Sequence, residues 1–171
     1  MDFERIIASS SCLIALFLGA CSFSVESGET VQEAAIEAPD MDAYWAAHAA
    51  HRQSGDLEAA TSVLAEDCVL FQPFQPRVSG RRTIAAKMKE AQEMAETHKV
   101  SLDSQEVYHH GSWLVDFGTF SETVSFKGSE DQHLLEGTYA AVLEPDADGD
   151  WKVKRFMALP STPPPGSSAA R

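Results

Sequence analysis

The spacing of the apolar residues changes once along this chain, and that change fixes what it can fold into. Up to about residue 97 they recur at helical spacing, and from Val100 onward they alternate with a period of two. Asp40 is a good N-cap for a first helix that carries Met41, Tyr44, His48 and His51 on one stripe, and Gly55 ends it. Asp56 caps a second helix, Leu57 to Ala65, with Leu57, Ala60, Val63 and Leu64 as its apolar positions. Cys68 to Pro73 reads as a strand that Pro73 and Pro76 terminate. A third helix runs from about Arg81 to Thr97, with Ile84, Met88, Ala91 and Ala95 on one face. Val100 and Leu102 then open one strand, Trp113, Val115 and Phe117 alternate in another, and Leu135, Gly137, Tyr139, Ala141 and Leu143 alternate in a third. A last strand, Trp151 to Leu159, follows the turn Pro145 to Asp150. Three helices followed by a meander predict an α+β domain whose helices cover one face of a strongly curled antiparallel sheet.

The segments flanking this domain differ in composition. Ile6 to Ala20 are apolar or small around Leu13 to Leu18, with Arg5 in front; this is the h-region of a signal peptide, shorter than the ~20 apolar residues of a bilayer span. Its end, Leu18-Gly19-Ala20-Cys21, resembles the bacterial lipobox, in which an aliphatic and two small residues precede a cysteine that is lipidated and becomes the mature amino terminus. That resemblance implies removal of residues 1–20 and a lipid membrane as partner through Cys21; ordinary signal-peptide cleavage is the alternative. Ser22 after the cysteine resembles the sorting signal for the outer membrane, which implies the periplasmic face of that membrane in the bacterial cell envelope. Residues 21–39 are rich in glutamate and poor in aromatic residues, so they read as a flexible acidic tether. The domain is expected over 40–161, and the proline- and serine-rich residues 162–171 form a disordered tail.

The formal net charge is -13, and Asp2, Glu4 and Arg5 ahead of Cys21 account for only one unit of it. No basic stripe is visible, which argues against nucleic acid. With Cys12 removed and Cys21 lipidated, Cys68 has no partner in the chain, and burial as a small hydrophobe suits it better than reactivity. No metal or other cofactor is expected. His109 and His110 are adjacent on a strand and point to opposite faces, and His48 with His51 lacks a third ligand. Asp146, Asp148 and Asp150 superficially match a calcium loop, but Met157 stands where its closing glutamate belongs, so a hairpin turn is the better account.

The order of the pieces Ser54-Gly55-Asp56-Leu57, Leu64-Ala65-Glu66-Asp67, Ser79-Gly80-Arg81-Arg82-Thr83-Ile84 and Asp146-Ala147-Asp148-Gly149-Asp150-Trp151-Lys152-Val153 resembles the SnoaL-like and ketosteroid-isomerase-like domains. The resemblance covers Asp40 to Ser161 and implies the cone-shaped fold of nuclear transport factor two, with a homodimer formed through the outer sheet face. This fold hosts isomerases, dehydratases, ligand binders and plain dimerisation modules, so it leaves the activity open. In the steroid isomerase pattern the general-base aspartate lies just before a proline in the first strand, where this chain has Gln72 ahead of Pro73, and glutamine cannot take up a proton at a useful pH. The oxyanion-hole tyrosine falls on His48, and the neutral aspartic acid that completes the hole falls near Tyr139, with no equivalent acid evident.

What this implies is a pocket lined by His48, Gln72, Trp113, Tyr139 and Arg155, each able to donate a hydrogen bond to a small polar or acidic ligand. Arg155 alternates with Val153 and Met157, which would turn it into the cone, although an outward position beside Lys152 and Lys154 is favoured. Small-molecule binding leads. A lyase or isomerase-like activity using His48 and Tyr139 is one alternative, and a protein-interaction module without a ligand is the other.

Overall fold

The computed structural model describes residues 36–73 and 75–161, so the expected signal peptide, most of the tether and the tail lie outside the described residues. Three helices and six strands follow in the order α1 Met41–Ser54, α2 Leu57–Ser62, β1 Leu64–Phe71, β2 Val78–Ser79, α3 Arg81–Met94, β3 Ala95–His110, β4 Trp113–Phe126, β5 Gln132–Pro145 and β6 Trp151–Pro160. The sheet order is β2-β1-β6-β5-β4-β3; β1 and β6 run parallel and every other pair is antiparallel. The result is a curved, unclosed sheet with the helices against its inner face, the fold shared by proteins like nuclear transport factor two.

Local chemistry sets the helix ends. Asp40 Oδ1 accepts from the backbone N–H groups of Asp42 and Ala43 at 3.0 and 3.2 Å, and Gly55 takes the left-handed conformation (φ 76°) that stops α1. Asp56 caps α2 by accepting from Ala59 N–H at 3.0 Å. Just before α1, the Glu37 carbonyl accepts from Trp151 Nε1 at 2.9 Å and Ala38 packs against the core, so the chain enters the domain along β6.

Long-range pairing moves three boundaries away from the sequence reading. Helix α2 stops at Ser62 because Val63 and Leu64 are drawn onto β6: the Val63 carbonyl accepts from Val153 N–H, and Leu64 pairs with Val153, four residues before the expected start of the strand. Helix α3 stops at Met94, because Ala95, Glu96 and Thr97 pair with Phe126, Ser125 and Val124 of β4. On β4 the expected alternation holds, but the residues facing the core are the other set. Leu114, Asp116 and Gly118 are buried beneath α1, whereas Trp113 and Phe117 lie outside. On β5 the expected set Gly137, Tyr139, Ala141 and Leu143 does face inward.

The core joins Met41 and Trp45 of α1 and Ile84 of α3 to Cys68, Leu114, Tyr139, Leu143 and Val153 of the sheet. Cys68 is fully buried, and burial foremost pushes its thiol up to about 11, which suits a packing residue. Gly118 lies directly opposite Tyr139 in the β4–β5 ladder. A Cβ here would collide with the Asp103 carbonyl oxygen and come within 2.7 Å of the Tyr139 ring and hydroxyl. Gly118→Ala is therefore expected to cost about 3 kcal/mol in urea denaturation through overpacking. Unchanged stability would show that the strands part more easily than this packing implies.

Candidate functional site

Asp116 is the unusual residue of this core. An aspartate in mid-strand has poor β-propensity, and this one has no solvent exposure, so its oxygens must be satisfied within the protein. They are satisfied by donors from three elements. Trp45 Nε1 of α1 and Tyr139 Oη of β5 donate to Oδ2 at 2.6 and 2.7 Å, and Ser104 Oγ of β3 donates to Oδ1 at 2.6 Å. The carboxylate thereby pins α1 to three adjacent strands. Burial, the hydrogen bond to Asp116 and the charges of Asp116, Asp103 and Asp42 all push the Tyr139 hydroxyl up, so it stays a donor at any physiological pH.

Aromatic rings complete the centre of the cone. Trp45 meets Tyr139 edge-on at 5.5 Å between centroids, and Phe156 stacks on Tyr139 at 5.6 Å and 12°. With no solvent exposure and three donors from the protein, the carboxylate is an acceptor for its own fold.

The five residues expected to share a pocket are dispersed. Tyr139 is buried on Asp116, and His48 lies edge-on to the same Trp45 at 5.9 Å. His48 faces α2: its Nδ1 is 2.9 Å from the Ala60 carbonyl, which can only accept, so Nδ1 carries the proton. Burial first, then the nearby Arg52 charge, hold this imidazole down at about 4. Gln72 is exposed just past the end of β1, and Trp113 is 51% exposed at the start of β4. Arg155 also points outward, its Nη1 donating to the Lys154 carbonyl at 2.7 Å. A bulge explains it: Val153 pairs with Leu143 and Arg155 with Val142, so Lys154 is an extra residue and Arg155 no longer shares the face of Val153.

Sequence reasoning passed over Asp116 itself, a buried carboxylate beside Tyr139 that accepts hydrogen bonds, unlike the neutral donor acid of the steroid isomerase pattern. The signal was present as an isolated acid in the apolar run Leu114 to Phe117.

Accessible space lies beside this network. A cleft of about 570 Å³ runs between α1 and β3, with Asp42, Ala46, Ala50 and Gln53 on the helix side and Ser101 to Ser104 on the strand side. Ser104 belongs to both features, lining the cleft and holding Asp116. A second concavity of about 320 Å³ lies between Tyr44, Pro39 and the β5–β6 turn.

This cone of helices and curved sheet is similar to that of known ketosteroid-isomerase-like proteins. One from Erwinia carotovora atroseptica is 19% identical, aligning over 71% of this chain and 93% of that one with a TM-score of 0.63. ActVI-ORFA from Streptomyces coelicolor is 12% identical over 70% and 92% of the two chains, with a TM-score of 0.59. A protein from Catenulispora acidiphila, solved in complex with S-DNPA, is 14% identical over 69% and 90%, again with a TM-score of 0.59. At these identities the likeness establishes the fold alone. The sequence matches no known family profile and no curated protein.

Two outcomes follow. Asp116→Leu leaves the Trp45 indole and the Tyr139 and Ser104 hydroxyls without their acceptor, and is expected to cost about 3 kcal/mol in chemical denaturation; a loss below about 0.5 kcal/mol would contradict the network. His48 has a folded value of about 4 against 6.5 for the free group. As pH falls from 6.5 toward 4 the unfolded chain takes up a proton that the folded chain refuses, so stability drops across that window by roughly 2–3 kcal/mol. His48→Gln should flatten the pH dependence of stability there, and an unaltered slope would refute the assignment.

Proposed function

We propose that this protein is a lipid-anchored protein of the bacterial envelope, held through Cys21 at the periplasmic face of the outer membrane, whose cone domain binds a small molecule without transforming it. The observation that carries the reading is the 570 Å³ cleft between α1 and β3, open beside a cone whose centre is already filled by Trp45, Tyr139 and Phe156. The Catenulispora protein with its S-DNPA complex supports ligand binding on this fold. Catalysis by His48 and Tyr139 together is disfavoured, because the hydroxyl of Tyr139, in a side chain only 2% exposed, is committed to Asp116.

A homodimer through the outer sheet face fits the apolar surface there. Phe117 lies between Glu106 and Ala140 in register, with Trp113 and Tyr108 on one side of it and Met157 and Leu159 on the other, and all five of these large apolar residues are exposed.

Screening small aliphatic and aromatic fragments by ligand-observed NMR tests the cleft. Binding to the wild type is expected to disappear in Ala50→Phe, whose ring would occupy the space, and fragments that bind both proteins equally would reject this site. In bacterial cells radiolabelled palmitate should enter the wild type and not Cys21→Ser, and an unlabelled wild type would reject the anchor. Phe117→Glu should halve the mass seen by sedimentation; a wild-type monomer would reject the dimer.

A further inference from the structure

The side-chain polar atoms lining the cleft between α1 and β3 are sorted by hydrogen bonding. Ser104 Oγ gives its only proton to Asp116 Oδ1. Ser101 Oγ lies 3.2 Å from both carboxylate oxygens of Asp103, which engages its proton as well. Gln53 Nε2 donates to the carbonyls of Ala49 and Val100, both at 3.3 Å, and so its Oε1 is the end left to face a ligand. A hydroxyl or amide whose protons are spent offers only lone pairs. The charged side chains in the wall are Asp42 and Asp103; among the described residues no lysine, arginine or histidine contributes to it. The rest of the helix side is small and apolar, chiefly Ala46 and Ala50.

Charge points the same way as the donor count. Asp116 stands directly behind Ser104, and both Asp42 and Asp103 act on the Tyr139 hydroxyl beneath the cleft, adding to burial and to Asp116 in pushing it up. An anion here would meet two carboxylates with no cation to offset them. A neutral ligand rich in acceptors would find no side-chain donor among the described residues, leaving it only backbone N–H groups of the edge strand β3. Positively charged N–H groups satisfy both conditions, since they bring donors to an acceptor-lined wall and charge to its carboxylates.

We propose that this cleft is a site for a small organic cation, an aliphatic ammonium or guanidinium compound whose head is held by Asp42 and Asp103 and whose apolar part lies over the alanines of α1. The proposal rests on the reading of the cleft as the ligand site and specifies what it takes. It differs from the small polar or acidic ligand implied by a pocket of donors, because those donors are dispersed and the space that is open is lined by acceptors.

Calorimetric titration of the full chain with cadaverine and agmatine, against 1,5-pentanediol and glutarate as neutral and anionic isosteres, tests the proposal. The two cations should bind and the isosteres should not, with binding weakened by added salt. Asp103→Asn and Asp42→Asn should each weaken cation binding about tenfold, the loss of one charge-assisted hydrogen bond, while Glu130→Gln, in the β4–β5 turn and not part of the cleft wall, should leave it unchanged. Using both variants guards against one of them failing to fold. Absence of cation binding, or affinity unaltered in both aspartate variants, would overturn the proposal. If neutral or anionic fragments bind in a manner sensitive to Ala50→Phe while the cations do not, the ligand class is wrong and the cleft stands. If no probe of any charge is sensitive to Ala50→Phe, the cleft reading falls and the ligand class with it.

Discussion

Three hydrogen bonds to one buried carboxylate hold this domain together. Placing a charge out of contact with water is costly, and the cost is met only when the surrounding donors are fixed and complete. Around Asp116 they come from an indole on α1, a phenol on β5 and a hydroxyl on β3, so the bond set is complete only when helix and sheet are docked. Apolar packing alone would let α1 slide along the sheet, since Met41, Trp45 and Ala49 face it as a plain stripe. The indole N–H gives that stripe a register. Breaking the set leaves polar atoms buried without partners, each costing roughly 1–3 kcal/mol, which makes the docking cooperative.

Other features are arranged around that docking. Gly118 opposite Tyr139 leaves the room that lets the phenol reach across β4, and a bulge at Gln105 brings Ser104 into line with Gly118, next to Asp116. Tyr44 on the same helix shares its one hydroxyl proton between the carbonyls of Val63 and Trp151, both at 3.2 Å, and ties α1 to the start of β6. At the far end Arg52 pairs with Glu122 at 2.6 Å, and Thr97 donates to the same oxygen. Because this centre is committed to holding the fold, open space is displaced to the seam between α1 and β3, where the helix offers alanines in place of large side chains.

Much of this architecture could be read from the residues. Asp40, Gly55 and Asp56 mark helix ends through chemistry that acts within a few positions, and the β5 alternation from Gly137 to Leu143 identifies its own inner face. What escaped reading depends on partners distant in sequence. A period of two reports that β4 has two faces but not which one α1 will cover, and its large residues, Trp113 and Phe117, suggested the wrong one. For Arg155 what escaped is the cause of its outward position, because the single extra residue at Lys154 is a bulge with no signature in a strand of mixed lysines and valines. Asp116 was hidden for a similar reason. Its meaning lies in Trp45, Ser104 and Tyr139, which are between 12 and 71 residues away. The residues expected to form a floor of donors are dispersed accordingly, and the open cleft is lined by others.

Hydrogen exchange at the Trp45 indole N–H addresses the central claim most directly, because this proton lies in the bond that sets the register of α1 on Asp116. If the carboxylate locks helix to sheet, the indole proton exchanges only through global unfolding and matches the slowest backbone amides of β4 and β5. Exchange orders of magnitude faster than those amides would mean that α1 lifts independently and that Asp116 is not what holds the fold together.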